Sequence, residues 1–383
     1  MTRPNLRGAE HPVPGTADAR SDPVRRAEAR AAWVFLAPFG VLLGVFFVFA
    51  AARTAWFSLT DYDLFAAPAF VGLENYAALL TDDLFVIALR NSLMFAVLVT
   101  TAQTVLALVL AVFVDSIARG RGPVRTALYF PSIVSSTVMT LIFIWLFQRR
   151  GLMTDAANWI ANHRWPVACF LASLATIQAA LVARARRRYA GVGALDPFFL
   201  LFAVLGALAV TLALRTGQVL PVGDADAPIS WLNTRRTWLG MPVTLWSVAA
   251  INVFTTIPLM MLLYLAGLQS IPRSLYEAAE LDGAGRVRVL LRITAPLLAP
   301  VTFAVVTLGL IGTLQMFDQV AILGNAAPIE SRVTLAYYTF YNAFPPGGTP
   351  RIGVASAGAV ALAVLTMIIV FAQRALGISD RAR

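Results

Sequence analysis

The chain has 383 residues, 59% of them hydrophobic, and a mean hydropathy of +0.74, an apolar load that soluble domains do not carry. The formal charge is +10, but the arginines are scattered through short segments between apolar runs, so they mark membrane topology and argue against nucleic acid as a partner. All thirty basic residues are Arg, which excludes a phosphate-binding loop of the G-x-x-x-x-G-K-S/T type, because its lysine must reach the β and γ phosphates.

Residues 1–30 are rich in Arg, Pro and Ala and poor in large apolar side chains, as expected of a disordered cytoplasmic tail. Ala31–Ala52 is longer than the apolar core of a signal peptide, so a retained first span is expected over 31–55. Residues 56–91 follow as a mixed aromatic and acidic external loop. The second span, about Ser92–Val114, runs into Asp115–Arg125, where Arg119, Arg121 and Arg125 mark a cytoplasmic loop. The third, about Leu128–Phe147, contains Pro131, which a span tolerates where neighbouring helices satisfy the freed backbone.

Beyond Gly151-Leu152-Met153, two runs of near-spanning length, Trp165–Ala183 and Pro197–Leu214, enclose Arg184, Arg186, Arg187 and Arg188. Positive-inside placement puts this cluster in the cytoplasm and makes 161–230 a hairpin of two extra spans, the alternative being a re-entrant or surface-lying pair. An even number of crossings preserves the orientation downstream. Two more spans, Pro242–Leu268 and Leu297–Leu323, flank a charged interval, Ser270–Pro300. An external loop with Tyr337, Tyr338 and Tyr341 precedes the last span, Gly353–Ala372, after which Arg374, Arg381 and Arg383 are again cytoplasmic. This assignment leaves ten arginines outside, at 53, 90, 149, 150, 164, 215, 235, 236, 332 and 351; the pairs Arg149-Arg150 and Arg235-Arg236 dilute the rule.

The charged interval has its own amphipathic order. Leu275–Leu281 is rich in good helix formers, with either Ser274 and Glu277 at capping-box spacing or Ser270 and Pro272 marking its start. Gly283 stands where the pattern stops, able to take the positive φ of a helix end. In the second run Val287, Leu290 and Leu291 share a face, and Pro296 is expected to end it. Two short helices meeting at a glycine form an elbow that either lies on the headgroups or docks on a partner.

Glu277-Ala278-Ala279, three residues, Gly283, nine residues, Ile293 and then Pro296 resembles the EAA loop of the membrane subunits of binding-protein-dependent ABC importers. More narrowly, Ala266–Ala284, AGLQSIPRSLYEAAELDGA, is similar to the carbohydrate and glycerol-3-phosphate branch. Ala295 departs from the pattern, which usually has Leu before the proline. Ser58–Tyr62, Phe70–Tyr76, Asp83–Phe85, Leu89–Ser92, the Pro131 opening, Gly151–Met153, Trp231–Asn233, Trp238–Gly240 and Gln315–Asp318 resemble further segments of that branch, whereas 161–230 has no counterpart in it. The resemblance covers most of 58–160 and 231–375, as permease core parts 92–160 and 231–375 with the loop at 270–300 and a cytoplasmic tail at 376–383.

What the resemblance implies is an all-α, polytopic helical membrane protein, a type I ABC importer transmembrane domain; with the inserted two-helix hairpin read from the arginine cluster, about eight spans are expected. It sits in the cell membrane with both termini cytoplasmic. Implied partners are ATP-binding subunits holding ATP and Mg, a second permease subunit, an extracytoplasmic solute-binding protein, membrane lipid and a sugar-like substrate. Glu277, Ala278, Ala279, Asp282, Gly283, Ala284, Ile293 and Pro296 would carry the ATPase coupling.

From the residues themselves, Asn252, Gln315 and Asp318 are polar groups within or at the ends of core spans, able either to hydrogen-bond sugar hydroxyls or to join helices. Tyr264 and Phe317 could stack on a sugar ring, though core packing is their commoner use. Asp318 is the one carboxylate in the confidently apolar spans; that poverty of charge tells against the rival class, an ion-coupled secondary transporter. No constellation for catalysis appears, so the chain is expected to be no enzyme. Cys169 is the sole cysteine, which excludes an intramolecular disulfide and a Cys-based zinc site. His11 and His163 are expected to be solvated loop residues without a metal.

Overall fold

A computed structural model describes residues 23–116, 121–186, 197–217, 219 and 230–375. Most of the expected N-terminal tail, the C-terminal tail, His11, Arg119, Arg187 and Arg188 lie outside the described residues. Residues 1–56 and 57–383 form two units. In the first, α1 (Pro23–Leu43), a π-helical stretch (Gly44–Phe49) and α2 (Ala50–Phe57) make one run, whose last residue opens the second unit. No residue from Glu28 to Phe57 is buried, although the run is apolar on all sides, the pattern of a helix whose solvent is lipid.

The second unit is built on α4 (Asp83–Ser116) and α10 (Val243–Gln269), its most extensively packed helix pair, with α14 (Ala299–Leu314) packed against both. Ala88, Ser92, Phe95, Val99, Gln103, Ala107, Ala111 and Val114 recur every three or four residues along α4 and are all buried. Four of these eight are Ala or Ser, which lets helix backbones approach as van der Waals packing in lipid requires. α4 begins nine residues before the expected span, at Asp83 rather than Ser92, because the polar residues at the expected boundary, Asn91 and Ser92, have partners. Asn91 Nδ2 donates to the carbonyls of Glu330 (3.3 Å) and Val333 (3.0 Å), and Ser92 Oγ accepts from the Leu335 amide at 2.8 Å.

The expected external loop 56–91 is therefore largely ordered structure. A two-stranded ribbon, β1 (Thr60–Asp61) with β2 (Ala69–Phe70), precedes α3 (Glu74–Thr81), and Asn75 Nδ2 fastens it by donating to the carbonyls of Ser58 and Thr60. The expected third span is not continuous: α5 (Arg121–Ile133) and α6 (Ser136–Phe147) are separated by a bend of 98°. Pro131 removes one backbone donor, Ser132 Oγ turns back to the Tyr129 carbonyl, and Ser135 takes extended backbone that restarts the helix. α7 (Leu152–Asn162) then leads through His163 to α8 (Arg164–Arg186). His163 stands in the turn between the two helices, as expected of a loop residue, but is half-buried, stacked on Trp159 at 4.7 Å and bonded to that residue's carbonyl.

α8 packs on α9 (Pro197–Thr216) through Val182, Ala185, Ala203 and Ala207, a pair compatible with the expected hairpin. After a second ribbon, β3 (Thr237–Trp238) with β4 (Met241–Pro242), come α10 and then α11 (Arg273–Leu281), α12 (Arg286–Val289), a π-helical stretch (Leu290–Thr294) and α13 (Ala295–Leu297) before α14. The expected span Leu297–Leu323 is interrupted at Gln315–Phe317, where α14 gives way to α15 (Asp318–Leu323). Tyr337, Tyr338 and Tyr341 lie not in a loop but on α17 (Leu335–Ala343), which follows α16 (Ile329–Arg332) and packs on α18 (Ile352–Ala375). Among the described residues seven helices are long and apolar enough to cross a membrane, or up to eight if the bent pair is one span.

The end opposite the charged interval is held by Tyr338, fully buried, whose hydroxyl donates to Asp82 Oδ2 at 2.6 Å and whose ring meets Phe85 edge-on at 5.4 Å. Burial, and then the Asp82 carboxylate, push the hydroxyl well above the usual phenol range, so it stays a donor at every physiological pH. Tyr338→Phe leaves Asp82 Oδ2 without its donor, Oδ1 keeping the Leu84 amide, and is expected to cost about 1.5–3 kcal/mol, read as a lower midpoint of thermal unfolding in detergent. An unchanged midpoint would show that the bond contributes nothing to the fold.

Candidate functional site

The elbow joins the C-terminal end of α10 to the N-terminal end of α14. Neither serine caps α11: Pro272 holds the N-cap position, and Ser270 Oγ turns back to donate to the Gly267 carbonyl at 2.7 Å. The C-terminus has the predicted form. Gly283 has φ +70°, its amide donates to the Glu280 carbonyl (3.0 Å), and the Ala284 amide donates to the Ala279 carbonyl (2.9 Å), which is the double bond of a Schellman turn.

The second arm does not end at Pro296. The π-helical stretch Leu290–Thr294 shifts the bonding so that the Ala295 amide reaches Leu290, five residues back, and the helix passes the missing proline donor before breaking at Leu298. The two arms are tied by Tyr276 and Thr294, whose hydroxyls lie 3.2 Å apart. Tyr276, Glu280, Ala284, Leu290 and Thr294 share a cleft of about 440 Å³ with Asp115 and Ser116 at the end of α4. A neighbouring cleft of about 390 Å³ adds Arg273 and Glu277.

Glu277, Ala278, Asp282, Gly283 and Pro296 are exposed, whereas Ala284 and Ile293 are half-buried. Ala279 is only 6% exposed, so one of the two adjacent alanines is spent on the chain's own packing. Reasoning from the sequence missed Leu281, which is 90% exposed at the tip of the first arm, with Val287 and Leu291 also exposed on the second. The signal was present: Leu281 is an apolar residue one position before the turn of an otherwise polar arm.

The three polar candidates of the spans do not converge. Gln315 and Asp318 are exposed, while Asn252 is buried on α10 and donates to Gln319 Oε1 at 3.4 Å. Gln319 and Gln103 were missed, the latter a lone amide in an apolar span. Gln103 Oε1 accepts from Thr256 Oγ1 at 2.9 Å, and Thr100 and Thr313 hydroxyls meet at 3.2 Å. Gly309 leaves the room that Gln103 fills, since a Cβ there would run into Nε2. Gln103 Nε2, Thr104 Oγ1 and Asn252 Oδ1 are buried without a partner among the described residues, so this polar line retains hydrogen-bonding capacity that its helices do not use. Tyr264 and Phe317 belong to the packing: Tyr264 is fully buried with its hydroxyl on Thr302, and Phe317 stacks among Tyr337 and Phe340. Among the described residues no group of His, Cys, Asp and Glu could hold a metal.

Residues 103–377 match the family described as "Binding-protein-dependent transport system inner membrane component". The sn-glycerol-3-phosphate transport system permease protein UgpA of Salmonella typhimurium is 26% identical over 322 residues, 82% of this chain and 83% of that one. The arabinooligosaccharides transport system permease protein AraP of Bacillus subtilis is 27% identical over 343 residues, 88% of this chain and 87% of that one. A bacterial alginate ABC transporter, solved in complex with an alginate pentasaccharide-bound periplasmic protein, has the same fold at TM-score 0.64 and 16% identity, covering 92% of this chain and 96% of its own.

Proposed function

This chain belongs to the family of inner membrane components of binding-protein-dependent transport systems, and we propose that it forms, with a second permease subunit, the path of a sugar or sugar-phosphate-like solute across the membrane. The solute is handed over by an extracytoplasmic binding protein, and the energy comes from ATP-binding subunits docked on the elbow. The observation that carries this reading is the elbow itself, a capped, two-armed projection between two spans whose tip presents Leu281 almost wholly uncovered. A rigid lever of that kind converts motion of a docked partner into tilting of α10 and α14.

In this reading Glu277 and Asp282 offer charged anchors, Ala278 gives close approach, and Gly283 and Ala284 make the turn. Ile293 and Pro296 shape the second arm, while Ala279 holds the elbow to its own spans. Asn252, with Gln319, Gln103 and Thr256, offers hydrogen bonds to solute hydroxyls, and Gln315 and Asp318 stand exposed further out. Both termini lie in the cytoplasm. Reconstitution in proteoliposomes with the partner subunits tests the proposal: uptake should require ATP and ignore ionophores. Uptake by this chain alone, or its collapse when an ion gradient is dissipated, would assign it to the ion-coupled carriers.

A further inference from the structure

Arg149 and Arg150, like Arg235 and Arg236, are adjacent cations where positive-inside bias depletes them, but Arg235 is paired with Glu330. Arg149 and Arg150 sit at the tip of a tight turn after α6, closed by the Gly151 amide donating to the Gln148 carbonyl at 2.9 Å, and both are exposed. Among the described residues neither is ion-paired. Arg149 lines a cleft of about 410 Å³ with Phe147, Gln148, Ser230, Trp231, Leu232, Asn233 and Ala326. Gln148, Arg149 and Arg150 line a second, more open cleft with Asp155 and Asn158. The first cleft lies after α6, before α10 and after α15, so it is at the end of these helices opposite the elbow.

Its walls are preformed. Phe147 and Trp231 rings are 5.8 Å apart, and Trp238 meets Trp231 edge-on at 6.1 Å. The Leu232 carbonyl accepts from Thr244 Oγ1 at 2.8 Å, and Ser230 Oγ donates to the Asn233 carbonyl at 3.0 Å. The indole Nε1 of Trp231 is shielded from solvent and meets no acceptor among the described residues. An aromatic shelf beside two planar amides is the chemistry that takes a pyranose, apolar face on the ring and hydroxyls on the amides. A guanidinium at its rim adds bidentate recognition of a carboxylate or phosphate.

We propose that the Trp231–Asn233 cleft is a saccharide subsite on the outer face, and that Arg149 and Arg150 make it prefer sugars bearing a carboxylate or phosphate. The proposal rests on the reading of this chain as a saccharide importer's permease. It concerns a site at the entrance, separate from the buried polar line of Asn252 and Gln103. Asp155 is the one acid lining the two clefts, against two guanidiniums, so the local balance favours an anion.

The test is binding to the complex as purified with its partners, in phosphatidylcholine nanodiscs, using glucuronate, glucose 6-phosphate, glucose and inorganic phosphate as probes. Both anionic sugars should bind about tenfold or more tightly than glucose, the scale of one charge-assisted contact. Arg149→Gln with Arg150→Gln should erase that preference and leave glucose binding as it was. Asn233→Ala should weaken all three sugars alike. Equal binding of glucose and glucuronate, or no effect of the double substitution, overturns the proposal. So does inorganic phosphate competing as well as glucose 6-phosphate, which would mark an anion site without a sugar component. Displacement of the sugars by added phosphatidylglycerol would instead assign the guanidiniums to lipid headgroups and equally overturn it. Loss of the subsite leaves the co-purified ATPase in place, whereas failure of the transport reading removes the ATPase and leaves the binding data standing.

Discussion

Gly283→Pro is expected to stop ATP-driven uptake while the chain still inserts in the membrane. The residue occupies φ +70°, and proline is confined near −65°, so the Schellman turn cannot form around it. Proline also deletes the amide that donates to the Glu280 carbonyl. A cost of about 3 kcal/mol or more depopulates the native elbow by about a hundredfold or more. Gly283→Ala separates the two causes: it keeps the amide and meets open space, and its left-handed backbone costs about 1–2 kcal/mol, a population shift of about five- to thirtyfold. Solute-stimulated ATPase activity of the assembled complex is the readout, and the expected order is wild type, then Ala, then Pro. Full stimulation in the proline variant would mean that the elbow's shape has no part in coupling.

The second large effect is at Leu281. Because the side chain is 90% exposed, replacing it removes nothing from the chain's own core. If a partner groove covers it, burial contributes about 1.5–3 kcal/mol, and a buried, unpaired carboxylate in its place reverses the sign. Leu281→Asp is therefore expected to weaken the ATPase subunit's hold by about thirtyfold or more, the effect of losing an interface hot spot, with thermal stability unchanged. Glu277→Lys on the same arm should lower affinity less and more strongly at low salt, because an exposed charge is screened. Retention of the ATPase by the Leu281→Asp variant would leave the apolar tip facing lipid headgroups.

How much of this was legible in the sequence depends on whether a residue's environment is local. The elbow was readable: Gly283 sits where helix formers stop, and the capping bonds of Gly283 to Glu280 and of Ala284 to Ala279 span only three and five residues. The family pattern was readable for the same reason, being a spacing along one segment. The early start of α4 was not, because Asp83, Arg90 and Asn91 read as loop residues until Asn91 is paired with carbonyls some 240 residues away. Pro296 misled, since a π-helical stretch places the missing donor where the backbone does not need it. The bend after α5 was hidden by Ser135 and Ser136, which a continuous span also tolerates. Asn252 was found as a lone polar residue, but its partner Gln319 and the Gln103–Thr256 bond lie across helices and left no mark in any one segment.

Cys169 is the only cysteine, so one substitution gives a thiol-free chain into which Leu281→Cys can be placed. Labelling that cysteine with a membrane-impermeant thiol reagent asks directly which side of the membrane carries the elbow and what sits on it. The account predicts reaction in inside-out vesicles stripped of ATPase, none in intact cells, and protection when the ATP-binding subunit is added back. Reaction from outside intact cells, or reaction undiminished by bound ATPase, would contradict it.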